Sequence, residues 1–306
     1  MGQLCDCEGG LKHLGQANCP ALFGSAYKFV FTDYFKADGT VNELDVASFA
    51  FTKAAFEGKV STTTNPWIPS PQVLNYDTER GEAKFESFDN DTVKEYVQDG
   101  ERTVKGIWAK VPANLASILK GYNCNDVGFY IVDKYGNLIG IESGYKKLAP
   151  IRIQKGSFNS ILMPPVGTAI RVQQAMVSFS YDPSECDGLL KMVSCDDYVA
   201  GYDLKQVKGN IQVTFKTAGA GSTTTLVVAA DTDQGSMKSP IMVTGLVASD
   251  FVIKNVTNSN ATVSKTVAEV DGVYTFTFTA QTTGDVGKLT CTKAGYNFPT
   301  YEFTFQ

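Results

Sequence analysis

Four residues near the N-terminus carry side chains of the kinds that bind zinc. Cys5 and Cys7 form a Cys-x-Cys pair, and His13 and Cys19 follow in the same glycine-rich stretch. Thiolate and imidazole groups of this number could complete a tetrahedral zinc site. Their spacing matches no standard zinc finger, however. We therefore favour an N-terminal arm, residues 1–26, with incidental cysteines, and we predict neither a metal site nor a cofactor.

Other constellations that carry out catalysis are missing from the sequence. His13 is the single histidine, so serine or cysteine nucleophiles elsewhere have no histidine base. There is no phosphate-binding glycine loop, dinucleotide fingerprint or nucleophile-elbow motif. Asp231-x-Asp233-x-Gly235 resembles the start of a calcium loop, but Met242 occupies the twelfth position, where a glutamate is needed. The sequence thus predicts that the protein is not an enzyme.

The composition is that of a folded chain with no general affinity for polyanions. The 306 residues allow two domains, and 43% are hydrophobic, 19% are charged and the net charge is −5. A mildly acidic chain without a run of Lys or Arg has no overall attraction to nucleic acid or anionic lipid. No apolar run could span a bilayer, and residues 1–14 lack signal-peptide order. We therefore expect no membrane partner and synthesis in a cytoplasm.

The elements between residues 76 and 142 alternate between the period of a strand and that of a helix. Most segments are apolar at alternate positions, whereas one segment repeats its apolar residues at helical spacing. The predicted elements are the strands Lys84–Phe88, Val93–Val97, Thr103–Val111, Val127–Asp133 and Leu138–Glu142 and the helix Ala113–Tyr122. This pattern indicates a mainly β domain over residues 27–209 with one flanking helix.

A proline-containing segment, Val60–Val73, precedes these elements. Its three prolines exclude a central strand or a helix, so we predict a long, arm-like loop. Trp67 and Ile68 lie in this loop, and two interpretations stay open: they dock on a partner, or they fold back on their own core. The stretch Val46–Phe56 just before it fits a helical face and a strand equally well.

The composition shifts near Asn210, where Thr, Val, Gly and Ser begin to dominate. Short strands with turn signals between them are typical of an immunoglobulin-like β-sandwich over residues 210–306. The predicted strands are Ile211–Thr217, Thr224–Ala230, Ile241–Thr244, Phe251–Val256, Ala261–Val267, Val273–Ala280, Gly287–Lys293 and Tyr301–Phe305. We expect the core to include Leu226, Val228, Phe276, Phe278 and Leu289, because no Cys–Trp–Cys core is present. The stretch Asp271–Phe278 resembles the late strand of bacterial Ig-like domains.

The arrangement of the whole chain resembles the tail-tube (major tail) proteins of long-tailed bacteriophages. The resemblance rests on a β-rich domain over residues 27–209, the helix Ala113–Tyr122, the arm-like loop Val60–Val73 and an appended Ig-like domain. It implies a tail-tube-like β-sandwich or barrel followed by an Ig-like β-sandwich. The N-terminal cysteine-rich segment is not a feature of that family.

That resemblance implies a virion protein made in the host cytoplasm and located in the phage tail. Its main partner would be itself, in six-membered rings that stack into a tube, together with other virion proteins. Genome DNA would pass through the lumen without specific binding, and the Ig-like domain would lie outside and contact host-surface glycans. The expected assembly residues are Trp67 and Ile68 on the loop and Tyr135, Asn137 and Leu138 at a hairpin tip, which is otherwise an ordinary solvent-facing turn.

Two alternatives from other classes stay open at the level of sequence. One is another phage structural protein, such as a head-decoration, neck or baseplate component, in which the same two domains serve without tube stacking. The other is a bacterial surface-binding or adhesion module, although the N-terminus shows no signal peptide.

Overall fold

The computed structural model describes residues 23–88, 93–111, 115–163, 173–185, 187–199, 202–219, 221–232, 234 and 238–306. The chain separates into two compact units, with the boundary between Gly209 and Asn210. The protein is mainly β, with 48% strand and 11% helix. The predicted β-sandwich architecture is therefore confirmed.

The strands of the first unit are short and mostly antiparallel in pairing. They are β1 Ala26–Asp33, β2 Leu44–Asp45, β3 Ile68–Pro69, β4 Val73–Arg80, β5 Lys84–Phe88, β6 Val93–Gln98, β7 Arg102–Ala109, β8 Val127–Asp133, β9 Leu138–Gly144, β10 Lys147–Ala149, β11 Ile151–Arg152, β12 Asn159–Met163, β13 Gln174–Ser180 and β14 Leu190–Val193. The helices are α1 Lys53–Ser61 and α2 Leu115–Tyr122. Most predicted strands thus appear within a few residues of their expected ends, and β8 matches its prediction.

Two sheets of the first unit pack face to face. The larger has the order β2-β10-β9-β8-β1-β3, and the smaller has the order β12-β13-β7-β4. Their shared core is aromatic: Phe29, Phe129 and Phe179 meet edge to face, with ring centroids 4.9 to 5.6 Å apart. Edge-to-face packing of buried rings adds to the stabilisation that burial of their surface provides.

The predicted flanking helix is present as α2, and residues 112–114 before it lie outside the described residues. A second helix, α1, begins at Lys53, inside the segment Val46–Phe56 whose period was ambiguous. Thr52 begins α1 because its hydroxyl accepts a hydrogen bond from the Ala55 amide at 3.2 Å. Helix α1 and the segments beside it cover the second face of the larger sheet, where Phe56 and Val60 are buried.

The segment Val60–Val73, predicted as a long, arm-like loop, lies folded back on its own unit. The segment continues α1 to Ser61, and then β3 pairs with β1 at the edge of the larger sheet. The Trp67 amide donates to the Lys59 carbonyl at 2.9 Å, and the Ser70 amide donates to Phe29 at 2.7 Å. Proline is compatible with this arrangement because an edge strand does not need every amide as a donor.

Tyr198 and Val199, which follow β14 and a turn, do not form a strand. The short 3-10 helix Cys195–Asp197 precedes Tyr198, and the Tyr198 ring stacks on Phe51 with centroids 5.5 Å apart. Packing of this aromatic side chain against the loop before α1 replaces the backbone ladder that a strand would supply.

The second unit is a two-sheet sandwich, as predicted. Its strands are β15 Ile211–Thr217, β16 Thr225–Thr232, β17 Ile241–Met242, β18 Phe251–Asn255, β19 Ala261–Thr262, β20 Lys265–Val270, β21 Val273–Phe278, β22 Val286–Cys291, β23 Tyr296–Asn297 and β24 Tyr301–Thr304. One sheet has the order β20-β21-β16-β15-β23, and the other has the order β19-β18-β22-β24. The five predicted core residues, Leu226, Val228, Phe276, Phe278 and Leu289, are all buried.

Candidate functional site

The outer face of the sheet β12-β13-β7-β4 carries a row of apolar side chains that crosses all four strands. Ile161 pairs with Met176, Met176 with Ile107, and Ile107 with Leu74. Ile161 is 47% exposed, Met176 39% and Leu74 37%, while Ile107 is half-buried. Cross-strand neighbours lie close enough for their side chains to touch. We call these four residues the apolar row.

The apolar row exists because these strands are apolar on both faces at this level of the sheet. The neighbouring residues Val73, Trp108 and Ala175 point the other way and are buried in the core. An antiparallel sheet with one solvated face ordinarily alternates between apolar and polar positions. A continuous exposed apolar row departs from that pattern and is typical of a surface that contacts another protein.

A second uncovered apolar surface lies on the hairpin formed by β5 and β6. Within the described residues these two strands pair only with each other. Phe85 and Tyr96 stand opposite one another, with ring centroids 6.0 Å apart, and they are 57% and 40% exposed. A two-stranded hairpin is marginally stable alone in water, and large exposed aromatic rings are unusual there. The hairpin therefore exposes a paired aromatic surface to solvent.

Two glycines form the neck through which this hairpin joins β4 and β7. The Gly81 amide donates to the Glu101 carbonyl at 2.8 Å. A Cβ atom on Gly100 would collide with the Gly81 carbonyl, which is backbone and cannot turn aside. Glycine at position 100 is thus required by the close approach of the two chains.

The two loop residues named from the sequence have opposite environments. Trp67 is 3% exposed, and its ring lies 5.3 Å from that of Tyr130 and 5.8 Å from that of Phe56. It belongs to its own core, so the second of the two interpretations holds for Trp67. Ile68 is 42% exposed at the sheet edge and stays a predicted contact residue.

The turn at the predicted hairpin tip is held by the buried carboxylate of Asp133. Its Oδ1 accepts from the amides of Tyr135 and Asn137, both at 2.9 Å, and its Oδ2 accepts from Asn137 Nδ2 at 2.8 Å. Asn137 Oδ1 in turn accepts from the Cys195 amide at 2.9 Å. Asn137 and Leu138 are 5% and 0% exposed, so both are enclosed in their own unit. Tyr135, at 59%, is the exposed residue of the three and stays a predicted contact residue.

Lys28 and Glu185 have pKa values near neutrality, but each forms hydrogen bonds with backbone groups, and the two do not form a site together. Burial lowers the pKa of Lys28 to about 8, and its Nζ donates to the carbonyls of Lys205 and Val207 at 2.8 and 2.6 Å. Burial raises the pKa of Glu185 to about 7, and its Oε1 accepts from the Arg152 amide at 2.9 Å. Each group has a structural contact that accounts for its position.

The sequence-predicted metal ligands cannot be placed. Cys5, Cys7, His13 and Cys19 lie outside the described residues. Within the described residues, no group of three or more His, Cys, Asp or Glu side chains could hold a metal ion. Of the acids in the calcium-like motif, Asp231 pairs with Lys216, and positions 233 and 235 lie outside the described residues.

Sequence reasoning missed the apolar row and the exposed aromatic pair. A signal was present in β7, where Ile107 and Trp108 are adjacent and therefore point to opposite faces. A second signal was Met176, which occupies the otherwise polar positions of β13. Neither signal identifies the cross-strand neighbours, which come from distant parts of the chain.

Comparisons with known proteins add no relative to this description. Of the helices in the part of the chain that the structure describes, neither has the length and apolarity that crossing a membrane requires. A search against models of protein families and a search of curated protein sequences both find no match for this chain.

Proposed function

We propose that this chain is a structural protein of a bacteriophage virion, the subunit of a tail tube built from stacked, six-membered rings. The observation that carries the proposal is the presence of two different uncovered apolar surfaces in one unit. These are the apolar row and the aromatic pair Phe85–Tyr96. The arrangement of domains, which resembles that of tail-tube proteins, supports the same function.

Two different surfaces that bind each other join copies head to tail. Such heterologous contacts produce closed rings when the rotation closes, and open stacks or filaments when it does not. In this proposal the aromatic pair of one copy packs on the apolar row of the next. Burial of large aromatic and aliphatic side chains at the centre of a contact is the usual source of its binding free energy.

Open sheet edges offer a second way for the copies to join. In the part of the chain that the structure describes, β12 and β4 are the edge strands of the smaller sheet, and β4 has eight residues. Uncovered edge strands readily pair with another chain, and proteins that do not assemble usually protect them. Pairing between β12 and β4 of adjacent copies would continue one sheet around a ring.

The remaining parts of the proposal concern the lumen and the exterior. Genome DNA passes through the tube without specific binding, which is consistent with a net charge of −5. Residues 210–306 lie on the outside and contact host-surface glycans. Binding of the full chain to a glycan array, lost on deletion of residues 210–306, is the expected outcome for that part.

Negative-stain electron microscopy of the purified full-length chain over a concentration series tests the assembly. We expect rings or tubes of uniform width for the wild type and their loss in the double variant Phe85→Ser/Tyr96→Ser. Tyr145→Ser is the matched control, because Tyr145 is 87% exposed but lies outside both surfaces. Uniform monomers of the wild type at every concentration would favour a head-decoration, neck or baseplate component instead.

A further inference from the structure

Two glutamates lie opposite each other on the face of the β5–β6 hairpin that is turned away from its aromatic pair. Glu86 and Glu95 are direct cross-strand partners, and both are exposed. Like charges directly opposite on one face of a sheet destabilise the pairing. Among the ion pairs that the described residues form, none includes either carboxylate. The acidic pair is thus an unfavourable feature of the isolated subunit.

An opposite pair lies in the same unit, in a cleft of about 380 Å³ between β2 and α1. Lys36 and Lys59 line this cleft, and both are half-buried. Burial and the nearby charge of Lys36 lower the pKa of Lys59, so the two ammonium groups repel each other. In the described part of the chain neither lysine is in an ion pair with a carboxylate.

The two acidic residues that line the cleft are already engaged. Glu43 forms an ion pair with Lys147, and its other oxygen accepts from the Ser143 hydroxyl at 2.9 Å. Asp45 Oδ1 accepts from the Ala47 amide at 2.9 Å. Hydrogen bonds that they accept and, to a smaller extent, the charge of Lys36 lower the pKa of Glu43 and of Asp38, and Lys59 Nζ lies 6.0 Å from the centroid of the Phe49 ring. These contacts compensate part of the positive charge, but neither lysine has a carboxylate in ion-pair contact within the described residues, and partial burial reduces the help that water can give.

We propose that Glu86 and Glu95 of one copy enter the cleft between Lys36 and Lys59 of a second copy. Each pair of like charges is disfavoured in its own chain. The two glutamates match the two lysines in number and carry the opposite charge. Contact between them would remove both repulsions at once. The proposal rests on the self-assembly proposed above and adds to it a second contact for the same hairpin.

The two faces of the hairpin give this contact a geometric consequence. In a strand, successive side chains point to opposite sides, so Phe85 and Glu86 cannot face the same neighbour. The aromatic face is therefore free to contact one copy while the acidic face contacts another. A ribbon held between two copies extends an assembly beyond a single closed ring, as stacking requires.

Crosslinking between differently labelled copies tests the contact directly. Unlabelled and ¹⁵N-labelled full-length protein are mixed and treated with a zero-length carbodiimide, which joins a lysine amine to a carboxylate in contact with it. We expect mixed-label peptides that join Lys36 or Lys59 to Glu86 or Glu95. Absence of such peptides, while other intermolecular crosslinks form, would overturn the contact.

Charge reversal supplies the second measurement. Lys36→Glu/Lys59→Glu and Glu86→Lys/Glu95→Lys should each weaken self-association by about tenfold in sedimentation velocity, and an equimolar mixture of the two should recover most of it. Raising the salt concentration should weaken the wild type and leave either variant nearly unchanged.

The control is Lys110→Glu/Lys120→Glu, which reverses two exposed lysines that lie outside the cleft. Normal assembly of every variant would overturn this inference and leave the proposed function standing. A wild type that neither assembles nor crosslinks would contradict both. Inorganic phosphate that binds the cleft, without any mixed-label peptide, would identify a small-oxyanion site and overturn the docking of a second copy.

Discussion

The two units of this protein each contain a four-stranded antiparallel sheet with one face on a core, but the outer faces differ. In the first unit the outer face carries the apolar row. In the second unit the exposed Val252 lies opposite Thr290. Two residues further along the strand, Lys254 lies opposite Lys288, which in turn lies opposite Glu302 on the next strand. Single exposed valines among polar residues are normal on a protein surface, whereas a continuous row is not.

The two units thus combine a common architecture with outer faces of different composition. The outer face of the second unit carries hydroxyl and charged side chains between its exposed valines, Val252, Val256 and Val286. The first unit leaves apolar surface uncovered on the sheet and again on the β5–β6 hairpin. The apolar surfaces of the first unit are therefore the ones on which the proposed self-association is to be tested.

Removal of a buried aromatic ring should produce the largest effect and should separate the two units. We expect Trp67→Ala to lower the free energy of unfolding of the first unit by about 3–5 kcal/mol, because truncation leaves a cavity among packed rings. Both tryptophans, Trp67 and Trp108, are in the first unit, so fluorescence of Trp108 reports on that unit alone. An unchanged unfolding midpoint would contradict the burial of Trp67.

Ile68→Ala is the matched control for that experiment, since Ile68 is the next residue and is exposed. Its change in unfolding free energy should stay below about 1 kcal/mol. Calorimetry should show the transition of the second unit at the same temperature in both variants, because its core shares no residue with the core around Trp67.

An acidic residue in the apolar row tests the difference between the two outer faces. Met176→Asp should weaken self-association by about 30- to 100-fold, which corresponds to about 2–3 kcal/mol, because an unpaired carboxylate would be buried in the contact. Val252→Asp, at a comparably exposed position of the second unit, should change the strength of self-association less than about twofold. Equal effects in sedimentation equilibrium would remove the distinction between the faces.

The pH dependence of stability should also differ between the units, with a smaller effect. Burial, with a smaller contribution from the charge of Asp182, raises the folded-state pKa of Glu185 from 4.5 to about 7. The folded first unit thus binds a proton more tightly than the unfolded chain, and it loses stability as the pH rises from about 4.5 to 7. Glu185→Gln should remove this loss and stabilise the unit by about 1–2 kcal/mol at pH 8.

The pKa of Asp250 in the second unit is shifted in the opposite direction, downwards. A hydrogen bond from the Val247 amide holds the pKa of its carboxyl below 3.8, and the hydrogen bond and charge of Lys293 contribute in the same direction. That contribution to stability is present above the unfolded-state value and is lost as the pH falls through the folded one. Chemical denaturation at pH 3, 5 and 8, with tryptophan fluorescence for the first unit and circular dichroism for both, should reveal the two trends.

Local pattern was sufficient to predict much of this fold. The strand Ile211–Thr217 appears where alternation placed it, and Leu226 and Phe276 are buried as expected. Val127–Asp133 also forms the predicted strand, as a nearly continuous apolar run that is buried on both faces. Alternation predicts a strand such as Ile211–Thr217 because every second side chain faces the core, and this two-residue period can be recognised from neighbouring residues. The helix that ends at Tyr122 is predicted in the same way, from apolar residues that recur at the spacing of a helix.

The candidate surfaces depended on tertiary structure. Trp67 and Ile68 are adjacent and both apolar, yet β3 pairing turns one into the core and the other to solvent. Asn137 is polar and lies in a turn, yet its hydrogen bonds to Asp133 and Cys195 enclose it. Local composition does not distinguish these environments, because burial is decided by what packs against a residue.

The sequence by itself determined the mainly β architecture and the change in character near residue 210, since both follow from short-range periodicity and composition. Only the tertiary structure decided that Leu74, Ile107, Ile161 and Met176 form one row. These residues are far apart along the chain, and the pairing order β12-β13-β7-β4 and its register bring them together. Register is a property of strand pairs, and a shift by one residue would turn each of these side chains to the opposite face.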